Sequence, residues 1–441
     1  METAILKSLR HLSLKRAIPL ASLLERALLL LDQVVFSLAN FALTIILARL
    51  YSNTEFGSYG VALSIVLVVQ FIQRSLYVVS LSLMSARRAR RYLPAILAEH
   101  LTIAGAATLL VALWAGLVAA LGARQGAIDL AMSMLVCTVI YFQAEFDRAL
   151  LVKRGAFLGA LALSVIYLAL VLVLGAFAKH YHLSFELFMT LLSAGCLLKG
   201  LWLALLRAAP RWGWGLRIMR ADWRQYGWPA VMQAVTSLGT QHAPVLILSA
   251  LRGSATVAGL VAMRSLTQPL MLVTRSLDAA DKNRFRQATA GSSAALRRVF
   301  WRTSAVYAAI GIAAIVVLSA FPEWIIALAY HGKFAGLGWV MIAWGVYSAL
   351  LGLNFPVQSV IYVLGRQHSF ARLTVVNACV GTGLALALCP ILGVTGAIVA
   401  IVASMATFLA GGLVIIRDVV VGQGDAPLPK ERRSLRAADR P

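Results

Sequence analysis

The sequence predicts an all-α polytopic membrane protein of twelve transmembrane helices. They form two six-helix lobes related by a parallel repeat, with a central cavity between the lobes. Three observations carry this. Twelve apolar stretches, each near the roughly 20 residues needed to cross a bilayer, fill the chain from about residue 27 to residue 417. Lys and Arg crowd into alternate gaps between those stretches. The first half of the pattern then recurs in the second. Hydrophobic residues make up 61% of the 441 residues and charged residues only 13%, which is too little charge to cover a water-soluble surface.

The spans run 27–48, 57–82, 97–121, 126–147, 156–177, 184–206, 227–250, 255–276, 299–320, 336–362, 370–389 and 393–416. Helices follow from the medium, because a segment in lipid must satisfy its own backbone N–H and C=O groups. Barrel strands would be about 10 residues long with strict alternation, and these runs are longer and do not alternate. Before span 1, residues 1–26 are a basic N-terminus with an amphipathic stretch from Leu12 to Arg26, read as lying at the membrane surface. No small-residue cleavage site follows span 1, so it is expected to remain as the first helix. Residues 207–226 read as a cytoplasmic linker between an N-lobe (27–206) and a C-lobe (227–417). The tail 418–441 mixes Gly, Pro and charge and reads as disordered.

Orientation follows from counting cations gap by gap. The N-terminus, the gaps after spans 2, 4, 6, 8 and 10, and the tail hold five, four, three, five, seven, two and six Lys or Arg. The alternate gaps hold only Arg49, Arg124, Lys179, Arg252 and Lys333, and Arg74, Lys199 and Arg264 fall inside spans. Both termini are therefore expected in the cytoplasm, in a bacterial inner membrane. Cysteines placed at Arg88, Arg217 and Lys282 should be shielded from an impermeant reagent added outside, and those at Arg124, Lys179 and Lys333 should be labelled. Labelling at 217 but not at 179 would reverse the topology.

The net charge of +23 is thereby spread over seven segments on one side. That suits anionic membrane lipids and excludes a nucleic-acid groove, which needs cations gathered on one face with interleaved aromatics. Cys137, Cys196, Cys379 and Cys389 lie within spans without metal-ligand spacing and read as packing residues. No nucleotide-binding glycine loop, HExxH or Ser/His/Asp arrangement is found, and no extramembrane gap is long enough for a catalytic domain. No catalytic residue, metal or cofactor is expected.

The repeat appears when Leu47 to Leu67 is set against Leu248 to Gln268, an offset of 201 residues without a gap. Each ends one apolar helix, turns through small polar residues and opens another. The offset sets Asp32 against Gln233, Asn40 against Gln241 and Arg74 against Arg275. Two halves that start on the same side are parallel repeats, which build a substrate site that two lobes expose alternately.

Polar residues at bilayer depth are costly and face a cavity or a partner. In span 1, Gln33, Ser37, Asn40 and Thr44 share a helical face flanked by Asp32. Span 2 carries Gln70, Gln73, Arg74 and Tyr77. Span 7 carries Gln233, Ser237, Thr240, Gln241 and Pro244, with His242 beside them. Span 8 carries Arg264, Thr267, Gln268, Met271 and Arg275, and span 10 adds Asn354, Gln358 and Tyr362. Spans 5, 9 and 12 are nearly pure apolar and are expected to face lipid. The stripes read either as a cavity lining or as interhelical hydrogen-bonding glue. For Arg74 and Arg264 the cavity reading is the stronger, since an Arg near the bilayer centre costs about 3 kcal/mol. Arg275 and Lys199 also fit interfacial anchors. Asp32 is placed to pair with Arg74 or to couple an ion, and Glu145 and Asp147 to form a local ion-pair cluster with Arg148.

The stretch from Ala48 to Val66, ARLYSNTEFGSYGVALSIV, resembles the first hairpin of the polysaccharide flippases of the multidrug/oligosaccharidyl-lipid/polysaccharide exporter superfamily. The matching residues are Ala48, Arg49, Leu50, Glu55, Phe56, Gly57 and Tyr59. Gly57 is expected to open the turn and Phe56 to anchor the hairpin at the interface. The stretch after span 2, RSLYVVSLSLM, lacks the Gly-rich turn common in that family. The resemblance implies alternating-access translocation of an undecaprenyl-pyrophosphate-linked oligosaccharide between leaflets, for a cell-surface polysaccharide, alongside polysaccharide polymerase partners. Arg74, Arg264, Arg275, Asn40, Gln70, Gln241 and Gln268 are the candidate substrate-binding residues, and Asp32 is the candidate ion-coupling residue. Arg suits a pyrophosphate because its planar fork binds phosphate bidentately. The alternatives are a cation-coupled multidrug exporter of the same fold, which calls for acidic cavity residues, and a non-transporting scaffold subunit of a polysaccharide assembly complex.

Overall fold

A computed structural model describes residues 20–74, 86–120, 125–205, 238–289 and 293–421, with a few positions between 206 and 237. The regular elements among these residues are helices, and no strand occurs among them. The chain divides into two compact units, 1–231 and 232–441. The expected linker 207–226 lies outside the described residues apart from Arg217 and Arg220. The tail beyond 421, Gln233, Ser237 and Tyr77 also lie outside, as do the side chains of Lys199 and Glu145.

The first unit contains α1 (Leu20–Leu50), α2 (Asn53–Gln73), α3 (Ala86–Ala120), α4 (Gln125–Lys153), α5 (Phe157–Tyr181) and α6 (Phe185–Leu205). The second contains a π-helical turn (Leu238–His242), α7 (Ala243–Arg252), α8 (Ser254–Leu266), α9 (Gln268–Thr289), α10 (Ser293–Ala320), α11 (Pro322–Tyr330), α12 (Gly338–Val363), α13 (Gln367–Leu392), α14 (Val394–Ile415) and α15 (Arg417–Val421). Among the described residues ten helices are long and apolar enough to cross a membrane, and the bent pair α8–α9 makes eleven. The twelfth expected span is α6, whose apolar stretch Phe185–Leu198 is shorter than the others. All twelve expected spans thus have a helix.

The hairpin between α1 and α2 shows why the chain turns there. Ser52 Oγ accepts from Glu55 N at 3.2 Å, and Glu55 Oε2 accepts from Ser52 N at 2.6 Å. This reciprocal capping box satisfies two donors that a helix start leaves orphaned. Two expectations for this motif are corrected. Gly57 is an interior residue of α2, and the turn is made at Ser52. Phe56 is fully buried, not at the interface, because a residue one turn into a capped helix points back into the bundle. In the second hairpin Gly253, with φ of 83°, makes the turn, and α8 starts at Ser254, 201 residues after α2 starts at Asn53. The packing within each unit repeats as well. The α1–α5, α2–α4, α3–α4 and α4–α6 contacts of the first unit recur as α7–α13, α8 and α9 with α12, α10–α12, and α12–α14.

Several elements depart from the apolar spans. α3 begins at Ala86, well before the expected residue 97, because a helix continues into water once its apolar stripe ends. Span 7 is not a regular helix: it passes through the π-turn immediately before Pro244, whose missing N–H removes one rung of the ladder. Span 8 bends by 48° between Leu266 and Gln268, ahead of Pro269. At the bend the Thr267 N–H bonds Arg264 O at 3.2 Å, a three-residue closure. α11 was not expected, being too short for a span criterion. α5, α10 and α14 do present exposed apolar faces, including Ile166, Val173, Ile312, Val316 and Val414. However, α5 is not pure apolar: its other face carries Ser164 and Tyr167, both buried against α1.

Gly239 in the π-turn lies so close to α13 that a Cβ there would be 2.5 Å from the Ala378 Cα, and a Cβ on Gly381 would be 2.4 Å from Gly239 O. Backbone atoms cannot yield as a side chain does. Gly239→Ala should therefore destabilise the protein by about 1–3 kcal/mol. Gly383→Ala, with open space around its Cβ, should be neutral or slightly stabilising. Thermal unfolding in detergent compares the two, and equal effects would refute the close crossing.

Candidate functional site

The second unit gathers one intramembrane cation and several aromatic and amide groups. Arg264 sits on the last turn of α8, just before the bend. Its Nη2 donates to Gln241 Oε1 of the π-turn at 3.2 Å. Its guanidinium carbon lies 5.5 Å from the centroid of the Trp344 ring on α12, within range of a cation–π contact. Trp344 is itself fixed, because Nε1 donates to Leu260 O at 3.1 Å and its ring meets Tyr347 edge-on at 5.3 Å. The Tyr347 hydroxyl is buried beside Gln241 and feels both Arg264 and Arg275. His242 is 1% exposed, with Nδ1 lacking a hydrogen-bond partner and the Arg264 charge nearby. Arg264 remains half-buried rather than sealed.

The π-turn explains the geometry. A residue inserted into a helical ladder turns the next side chains by most of an extra 100°, which changes where Gln241 and His242 point. Gln268 is the first residue of α9 and half-buried, Met271 is buried, and Arg275 is exposed two turns beyond the bend. The expected stripe on span 8 is therefore split across the bend.

Sequence composition gives this site its sign. No Asp or Glu occurs from Trp223 to Leu277 or from Trp324 to Arg417; the buried acids of the second unit, Asp278 and Asp281, lie farther along α9 and pair with Lys282 and Arg284. In the first unit Asp32, Glu99, Asp129 and Asp147 are all buried.

In that first unit the structure corrects the expected pairing of Asp32 with Arg74. Asp32 Oδ2 accepts from Arg148 Nε at 2.9 Å and from Nη2 at 2.7 Å, and Oδ1 accepts from Ser164 Oγ at 2.5 Å. Arg148 also donates to Gln33 Oε1 at 2.8 Å and lies 4.8 Å from the Phe36 ring centroid. Arg148 thus turns to Asp32, two of its N–H groups converging on one oxygen of a buried carboxylate in charge-assisted bonds. Arg74 caps the end of α2 and is exposed. Asn40 is a hub: Oδ1 accepts from Tyr141 at 3.4 Å and Tyr167 at 3.2 Å, joining α1, α4 and α5. Gln70 donates to Tyr141 O at 3.3 Å and Gln73 to Phe142 O at 3.2 Å, joining α2 to α4. In the first unit these polar side chains bind helices together.

Asn40 and Gln241 occupy equivalent places in the repeat, so the same hub takes two neutral phenols in one unit and a guanidinium in the other. Arg148, Ser164, Trp344 and Tyr347 were missed as partners. A single Arg at a helix end and aromatic residues in apolar runs carry no periodic signal. Among the described residues no group of three His, Cys, Asp or Glu could hold a metal ion.

No family model matches the chain, and no curated protein matches it. Solved structures do. An inward-facing multidrug resistance MATE family transporter of the MOP superfamily has a TM-score of 0.69 at 17% identity, over 88% of this chain and 96% of that one. The lipid II flippase MurJ, in an inward closed conformation, has a TM-score of 0.69 at 11% identity, over 90% of each chain. A MOP superfamily transporter from Pyrococcus furiosus, described as having a binding pocket of reversed polarity, has a TM-score of 0.58 at 15% identity, over 89% of this chain and 94% of that one. The likeness shows that the chain has the fold of these transporters.

Proposed function

We propose that this protein is a membrane transporter that moves a lipid-linked oligosaccharide diphosphate from one leaflet to the other. The substrate is undecaprenyl-pyrophosphate-linked, it leaves the cytoplasmic leaflet of a bacterial inner membrane, and its sugar is destined for a surface polysaccharide. The observation that carries this is Arg264, oriented by Gln241 and Trp344, with no Asp or Glu from Trp223 to Leu277. A diphosphate headgroup is the ligand chemistry such a site favours, because charge-assisted, forked hydrogen bonds to phosphate are strong. A cationic drug would be repelled there. The fold is shared with a structure described as a lipid II flippase, which supports a lipid-linked substrate, and with a MATE transporter, which supports the exporter alternative.

The first unit's acids favour that alternative less than their number suggests, since Asp32 is held by Arg148 and Ser164. Gln241, Gln268 and Arg275 complete the substrate residues on this reading. Polysaccharide polymerase partners and cytoplasmic termini belong to the same proposal. The test uses proteoliposomes holding a fluorescent polyprenyl-diphosphate saccharide in one leaflet. A membrane-impermeant quencher then reports its arrival in the other. Transport of a lipophilic cation with none of the diphosphate would sink this reading and support the exporter.

A further inference from the structure

The second unit carries an element that the repeat does not account for. In the first unit α3 and α4 are joined by residues 121–124, whereas between α10 and α12 the chain inserts residues 321–337, which hold α11. α11 is about 14 Å long, too short to cross a bilayer. One side of it, with Ile326, Ala329 and Tyr330, is buried in the unit. The opposite side is also apolar, and it is open: Trp324 is 65% exposed, and Phe321 and Leu328 are exposed beside it. At helical spacing these three side chains fall within about 60° of one another. Nothing in the substrate reading uses this surface.

A helix apolar on two sides, with one side covered by protein, calls for an apolar medium over the other. We propose that this medium is the interfacial layer of the lipid bilayer. α11 seats its Phe321–Trp324–Leu328 face among the headgroups and upper acyl chains, on the side of the membrane where the α7–α8 turn lies. The face continues the apolar surface of a membrane-crossing helix. Ile312, Val316 and Val317 are exposed along α10 and lead into Phe321, and Trp339 is exposed on the first turn of α12, which packs on α11. Trp suits this layer because its ring is apolar and its N–H is not. The turn after the helix exposes His331, Gly332 and Lys333, which places an ammonium where lipid phosphates lie. The backbone is fit for the same layer. Pro322 has no N–H, Ile325 N bonds Phe321 O at 3.1 Å, and His331 N, at a φ of 53°, closes the helix on Ala327 O at 2.8 Å. Beyond it Lys333 N, Ala335 N and Leu337 N bond Tyr330 O, Gly332 O and Phe334 O, and Gly336 N bonds Glu323 Oε2 at 3.2 Å. A segment that satisfies its own donors can leave water.

Tyr330 sets the depth. Its hydroxyl donates to Ala262 O at 2.9 Å and lies 2.6 Å from Ser265 Oγ. Ala262 is about two turns along α8 from its start at Ser254, so the inner end of α11 is held below the α7–α8 turn. Phe334 meets the Tyr330 ring edge-on with centroids 5.3 Å apart. Leu337 packs so closely on Gly259 of α8 that a Cβ there would have no room. Ser265 directly follows Arg264, so this tie reaches the turn of α8 that carries the cation. The seating of α11 in lipid does not depend on the substrate proposed above.

The test is fluorine NMR of the full-length protein, labelled with fluorotryptophan, in phosphatidylethanolamine/phosphatidylglycerol nanodiscs. The Trp324 signal is identified by its loss in Trp324→Phe, which keeps the exposed face apolar. Three relaxation agents are compared. One is a lipid with a nitroxide high on its acyl chain, near the headgroup. The second lipid carries the nitroxide at the chain end, and the third agent is a gadolinium chelate dissolved in water. The expected result is that the first relaxes Trp324 several-fold more than either of the others. Strongest relaxation by the chelate would put α11 in water, and strongest relaxation by the chain-end nitroxide would put it at the bilayer centre. Protection from all three would show that protein covers the face, either a second copy of this chain or another partner. Each of those three results overturns the proposal.

Discussion

Arg264→Ala should abolish translocation of the diphosphate-linked substrate, and Arg264→Lys should retain a fraction of it. A hydrogen bond to a charged group contributes about 1.5–3 kcal/mol, which is on the order of 10- to 100-fold in affinity for the headgroup. Lys restores the charge and loses the fork, so its loss should be the smaller. Gln241→Ala leaves the cation in place but removes the oxygen that orients it at 3.2 Å. Its expected effect is weaker binding with the same preference for diphosphate over monophosphate headgroups. Equilibrium binding of a short-chain polyprenyl diphosphate in detergent, alongside proteoliposome transport, separates affinity from turnover. Wild-type affinity in Arg264→Ala would remove Arg264 from the substrate site and leave it as a helix-packing residue on Trp344.

The fold was readable because membrane helices must each be long, apolar and self-bonded. The spans follow from that constraint, and the helix starts at Asn53 and Ser254 show the 201-residue offset in the backbone. The departures have local chemical causes. Pro244 and Pro269 lie at positions where the apolar pattern continues undisturbed, yet each removes a backbone donor and produces the π-turn and the 48° bend. Those two irregularities bear on the places of Gln241, His242 and Arg264 that helical spacing alone would set.

Partner identity was the least legible part of the site. Helical periodicity places Asp32 on a face of its own helix and cannot say which neighbouring helix meets that face. Arg74 was the nearest cation in sequence, whereas α5 and α4 deliver Ser164 and Arg148. The same holds for Asn40, whose polar stripe suggested a cavity. Its oxygen instead receives two tyrosine hydroxyls. A stripe of neutral amides therefore says that a face is polar and says nothing about whether protein or water satisfies it. Arg264 differs in kind, since it is a half-buried cation and carries a charge that a neutral amide does not.

The same first-unit pairing leads to the largest expected effect on stability. Asp32 is 1% exposed, and the Arg148 side chain retains 16% exposure. Removing one partner of a buried ion pair costs about 3–5 kcal/mol, because the remaining charge is left without its match. The partial exposure of Arg148 puts Asp32→Asn near the lower end of that range, and Arg148→Gln nearer the upper end, since it strands a fully buried carboxylate. The double variant, Asp32→Asn with Arg148→Gln, keeps the shapes and the hydrogen bond to Ser164 while removing both charges. It should recover most of the stability lost in either single variant, giving a coupling energy well above the few tenths expected of independent sites. Arg74→Gln in place of Arg148→Gln should give no such recovery. Thermal unfolding in detergent measures all four variants, and translocation in proteoliposomes then divides the roles. If the double variant folds and transports, Asp32 is a structural strut between α1, α4 and α5. If it folds normally and fails to transport, the charge of Asp32 is needed in the transport cycle itself, as the ion-coupling role proposed for it requires. Additive losses in stability would instead show that the pair seen between Asp32 and Arg148 does not hold the unit together.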